Sequence, residues 1–76
     1  MRIEYDPEVD ALYIRFRSVA PGMAENRELS EDVIADYGPN GQLVGIEILE
    51  ASQVLGETPG HVIVDVVTAK AGAGSR

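Results

Sequence analysis

Val33–Leu49 reads VIADYGPNGQLVGIEIL, two apolar-alternating runs joined by Gly38-Pro39-Asn40-Gly41, the densest turn signal in the chain. Alternation on both sides of a Gly/Pro/Asn cluster is the pattern of a β-hairpin. If Gly38–Gly41 form the loop, Tyr37 lies opposite Gln42, Ala35 opposite Val44 and Val33 opposite Ile46. Every apolar partner then falls on one side of the pleat, so register and pattern agree.

The N-terminal stretch repeats the plan. Arg2–Asp6 (RIEYD) puts Ile3 and Tyr5 on one face, and Ala11–Arg17 (ALYIRFR) puts Leu12, Ile14 and Phe16 on one face. Both runs read as half-buried strands. Pro7-Glu8-Val9-Asp10 between them supplies a fixed φ and an Asp on either side that can bond the local backbone. A four-residue loop pairs Tyr5 with Leu12, Ile3 with Ile14 and Glu4 with Tyr13.

Ser18–Ala24 holds Pro21-Gly22 and has no period, so it reads as a connecting loop, and Glu25–Ser30 (ENRELS) is polar enough for a short edge strand or an extended link. After the central hairpin, Glu50–Leu55 (EASQVL) spaces Ala51, Val54 and Leu55 as a helix does, and Gly56 stands where a left-handed cap belongs. A helix this short needs its apolar side laid on the sheet. His61–Ala69 (HVIVDVVTA) reads as a further strand, apolar on both faces, that is either covered within the chain or paired with another chain. Residues 1–69 thus form one small domain, and 70–76 (KAGAGSR) are expected to be a disordered tail.

Composition narrows the function classes. A chain of 76 residues buries only ~60% of the surface it exposes when unfolded. With no cysteine and a single histidine, neither disulfides nor a conventional zinc site can reinforce it. Oligomerisation is the remaining source of burial. Thirteen acidic side chains against six basic ones give a net charge of −7, which repels a phosphate backbone and argues against nucleic-acid binding. No apolar run approaches the ~20 residues of a membrane helix, and Met1-Arg2 leads directly into a strand, so a cytoplasmic protein without membrane attachment is expected.

YDPEVDALYIRF, then ELSEDVIADY, then QLVGIEILEAS follow one another at characteristic spacing. The combination Y-D-x-x-x-D-A-L-Y-I and G-x-x-V-G-I-E-I-L resembles the small bacterial proteins grouped as the domain-of-unknown-function family numbered 2283, over Met1 to about Leu55. The resemblance implies a four-stranded antiparallel meander followed by a short helix. It implies no activity. Some members lie beside genes for small toxin-like proteins, which points to partnership. Glu50 departs from the pattern, in which Asp is common before the helix, and since Asp caps better the helix start is expected to fray. The valine-rich segment after Gly60 lies beyond the family's usual extent.

Candidate chemistry is sparse. Asp6-x-Glu8-x-Asp10 begins as a calcium loop does, but such a loop needs Gly at its sixth position and Glu at its twelfth, where this chain has Ala11 and Arg17. The acidic run reads as a hairpin turn, and no metal or other cofactor is expected. Asp36 and Glu47 share the outer face of neighbouring strands, yet a paired acid and base need environments that separate their pKa values, usually in a cleft. His61 has no nucleophile in an evident motif. Gly45 interrupts a strand, a sign of a bulge or of a close approach. Tyr13, Ile34, Leu43 and Leu49 make the outer face more apolar than alternation requires.

The expected fold is therefore α+β and mostly β: an antiparallel four- to five-stranded meander with one short helix packed on one face. The expected function is a non-enzymatic, homo-oligomeric interaction module with Tyr13, Ile34, Leu43, Val62, Val64 and Val66 at its interface, docking on a small basic, toxin-like partner. The alternative is a metal-dependent binding protein or enzyme using Asp6, Glu8 and Asp10 with Asp36 or Glu47 at a subunit interface.

Overall fold

Five antiparallel strands and one short helix make up the computed structural model, which describes residues 1–68. They are β1 (Arg2–Asp6), β2 (Ala11–Arg15), β3 (Glu25–Glu28), β4 (Val33–Tyr37), β5 (Leu43–Ile48) and α1 (Ala51–Leu55). The strands lie in one sheet in the order β1-β2-β5-β4-β3, so the mostly β, antiparallel architecture expected from the sequence is present. The hairpin β1-β2 and the run β3-β4-β5 each proceed neighbour to neighbour. The loop after β2 carries the chain to the far edge, and β5 returns to pair with β2 at the centre.

The first hairpin has the anticipated register: Ile3 opposite Ile14, Glu4 opposite Tyr13, Tyr5 opposite Leu12. Its turn is held by Asp6, whose Oδ1 accepts the Glu8 backbone N–H at 2.9 Å. Asp10 closes it in the left-handed region, φ 54°, a conformation that Asp tolerates better than most residues.

The central hairpin differs from expectation by two residues. Ala35 faces Ile46 and Val33 faces Ile48, not Val44 and Ile46, and Tyr37 faces Leu43. One residue of the difference comes from the loop, which runs over Gly38–Gln42 and not Gly38–Gly41, and the other from a bulge: between the Tyr37–Leu43 and Asp36–Gly45 pairs, β5 carries Val44 without a counterpart on β4. Gly41, at φ 79°, donates to the Gly38 carbonyl at 2.9 Å, and Gly38 N–H bonds the Gln42 carbonyl at 2.8 Å, closing the loop. A shift of two preserves parity, so Val33, Ala35, Ile46 and Ile48 still share the inner face.

Pairing across the sheet builds two apolar rows on that face, Ile3–Ile14–Ile46–Ala35 and Tyr5–Leu12–Ile48–Val33. Burial along them is uneven. Leu12, Ala35, Val44 and Ala51 are buried, while Ile14 and Ile46 are only half-buried and Phe16 is exposed. Among the described residues no large side chain is completely buried.

The helix ends at Gly56, φ 81°, as expected. Its apolar side is not laid fully on the sheet, because Ala51 is buried while Val54 and Leu55 remain exposed. The larger correction concerns His61–Ala69. Residues 61–68 form no strand and are exposed, since an extended segment needs a ladder partner and this one has none among the described residues. Ala69 and the expected disordered tail 70–76 lie outside the described residues.

Candidate functional site

Two side-chain networks organise the molecule, one on each face of the sheet. On the inner side, Asp10 joins the first hairpin to the helix. Its Oδ1 accepts the Tyr5 hydroxyl at 2.7 Å and the Ser52 backbone N–H at 3.0 Å, and its Oδ2 accepts the Ser52 hydroxyl at 2.7 Å. Its carbonyl accepts the Ala51 N–H at 2.8 Å. Glu50, at φ 48°, stands at the N-cap position but makes no side-chain cap bond. The cap is therefore supplied from 42 residues away, satisfying N–H groups that a helix start leaves open. The fraying expected from Glu50 is answered by Asp10.

These donors hold the Asp10 carboxyl below its ordinary value of 3.8, the Ser52 hydroxyl bond first and the Tyr5 hydroxyl next. A carboxyl depressed in the folded state contributes stability that is complete above its unfolded value and is lost as pH falls from there through the folded value. Wild-type melting temperature should accordingly fall more steeply below about pH 4 than that of Asp10→Asn. Circular dichroism melts across pH 2–6 check this, and parallel acid limbs would refute the capping role.

On the outer face, Tyr13 of β2 lies across Gly45 of β5 and donates to Asp36 Oδ2 of β4 at 2.8 Å. The side-chain amide of Asn26, on β3, donates to Asp36 Oδ1. One polar chain thus links β2, β4 and β3 over the glycine. Burial, then the Asp36 bond, raises the Tyr13 hydroxyl above its ordinary value of 10.0, so this tyrosine keeps its proton. The Arg15 guanidinium sits 5.5 Å from the Tyr13 ring centroid, and Arg27 sits 4.9 Å from that of Tyr37.

The sequence-predicted residues separate on this framework. Asp36 stands opposite Gly45, whereas Glu47 stands between Tyr13 and Ile34, so the two carboxylates are diagonal neighbours and Asp36 accepts from two donors. Asp36 thereby ties β4 to β2 and to β3. Asp6 and Asp10 are occupied by local and capping bonds, and Glu8 is exposed. Among the described residues no group of three or more His, Asp or Glu is placed to hold a metal. Tyr13 and Ile34 are half-buried on the outer face. Leu43 is 37% exposed and, displaced by the bulge, stands opposite Tyr37 on the Ala35 side, away from Ile34. Val62, Val64 and Val66 are 54, 65 and 88% exposed.

A shallow cavity of about 370 Å³ opens beside the first hairpin, with Glu4, Asp6 and Glu47 around Val9, Ala11 and Tyr13. Three carboxylates around an apolar floor suit a cation on an alkyl stem, such as a lysine or arginine side chain. No described helix is long and apolar enough to cross a membrane.

Fold and networks define a small single-sheet β domain whose two side-chain networks tie strands to one another and to the helix. The chain belongs to the family described as Protein of unknown function (DUF2283), whose model matches residues 2–52. That span holds all five strands and both networks, and it ends where the valine segment has yet to begin. No curated protein and no solved structure matches the chain.

Proposed function

We infer that the chain is a non-enzymatic interaction module that assembles with copies of itself and docks on a small basic partner. The observation that carries this reading is the distribution of apolar surface. The sheet has one partly covered inner face with no large side chain completely buried among the described residues, while Val62, Ile63, Val64, Val66 and Val67 stand more than half exposed. A contiguous apolar segment of this kind on a small domain marks an association site or an aggregation hazard. Val62, Val64 and Val66 form the centre of the interface, with Tyr13, Ile34 and Leu43 as the apolar positions of the folded domain that add to it. The net charge of −7 and the carboxylate-rimmed cavity supply the complement for a basic partner.

Sedimentation velocity tests the assembly. Full-length protein should sediment as a homodimer or higher symmetric oligomer, and a chain ending at Gly60 should be a monomer of lower stability. A full-length protein that stays monomeric at high micromolar concentration would overturn the reading.

A further inference from the structure

We propose that residues 62–67 of one copy pair as an added antiparallel strand on the free edge of β1 in a second copy, with Asp65 opposite Arg2, and that the exchange is reciprocal. The proposal deepens the self-assembly reading and rests on it. Among the described residues the sheet has two free edges, β1 and β3. β3 is Glu-Asn-Arg-Glu, exposed throughout, and gives a valine strand no apolar neighbour. β1 alternates exposed with half-buried positions, and its half-buried residues, Ile3 and Tyr5, are the ends of the two inner rows.

Parity and charge select one register. With Asp65 opposite Arg2, Val64 falls opposite Ile3 and Val62 opposite Tyr5, so that the rows become Val64–Ile3–Ile14–Ile46–Ala35 and Val62–Tyr5–Leu12–Ile48–Val33. A slip of one residue would turn the three valines to the outer face against Arg2 and Glu4. In the selected register the segment's one carboxylate meets Arg2, a 72% exposed side chain whose ion pair within the chain, to Glu4, is a loose 3.8 Å. Two copies at −7 repel each other, and residues 61–68 bring a single formal charge to the contact, which this register sets against Arg2. Reciprocal exchange doubles the buried surface, toward the ~1,000 Å² that a stable contact needs.

The chain has no cysteine, so engineered thiols report pairing without interference. A chain carrying Glu4→Cys and Ile63→Cys, which are opposite and on one face in this register, should give a covalent dimer on mild oxidation. Glu4→Cys with Val64→Cys, on opposite faces, should not. Asp65→Arg should weaken dimerisation about tenfold, and adding Arg2→Asp should restore it, because a like-charge pair has been exchanged for an inverted ion pair. A cross-linked monomer would show that the segment folds onto its own β1 and would overturn the proposal. So would an oligomer in sedimentation with no cross-link and no rescue by the charge swap, which leaves the self-assembly reading intact. A full-length monomer would overturn both.

Discussion

Gly45→Ala should lower the stability of the domain by ~1–3 kcal/mol, and Gly45→Val by more. A Cβ at this position would stand 2.6 Å from Cζ of Tyr13 and 2.7 Å from the Ile14 carbonyl oxygen, with the Tyr13 hydroxyl closer still. Real Cβ atoms do not approach other heavy atoms so closely. The tyrosine can swing away, at the cost of its bond to Asp36, but the carbonyl belongs to the backbone of the neighbouring strand and moves only if β2 and β5 separate. The glycine is needed here for space and not for an unusual φ. Urea denaturation of Gly45→Ala, Tyr13→Ala and the double variant resolves the contributions. The double variant should lose less than the sum of the singles, because the ring and the new methyl group contend for one volume. Strict additivity, or an unchanged midpoint for Gly45→Ala, would disprove the close packing.

The same glycine shows which parts of the fold were legible in the sequence. Alternation located β1, β2, β4 and β5 and the face each buries, because side-chain direction depends only on local period. It also marked Gly45 as a place of a bulge or of the close approach of another backbone, and both occur: the bulge at Val44 and the Ile14 carbonyl against Gly45. Alternation could count neither the fifth loop residue, Gln42, nor the bulged Val44, so the register of the central hairpin was two residues off and Leu43 was assigned to the wrong side. Within a single copy the strand reading of His61–Ala69 is not met over residues 61–68, for a related reason. A valine-rich run states a propensity, while a strand is a pairing, and the partner edge is not written in the run itself. Asp10 was visible as a turn residue, but its bonds to Ser52 join positions 42 apart, a separation at which no local spacing rule operates. The hairpin-turn reading of Asp6-x-Glu8-x-Asp10 holds for Asp6, while the helix cap that Asp10 adds was not visible in it.

Leu12→Ala should cost ~2–5 kcal/mol and unfold a large fraction of a domain of this size at 25 °C. Leu12 is 6% exposed and occupies the row between Tyr5 and Ile48, one strand in from the edge, beneath the end of the sheet that Asp10 and Ser52 close. Removing its side chain opens a cavity between the half-buried Tyr5 and Ile48, its partners across the two adjoining strands. Ile46→Ala supplies the contrast. Ile46 lies in the adjacent row and is half-buried, so in an isolated copy the lost contacts are fewer and the cost should sit at the low end of the range, about 2 kcal/mol. Equilibrium urea unfolding at a fixed protein concentration should place the Leu12→Ala midpoint well below that of Ile46→Ala, with both below wild type. A Leu12→Ala midpoint equal to wild type would mean that the row through Tyr5, Leu12, Ile48 and Val33 is not the core of this domain.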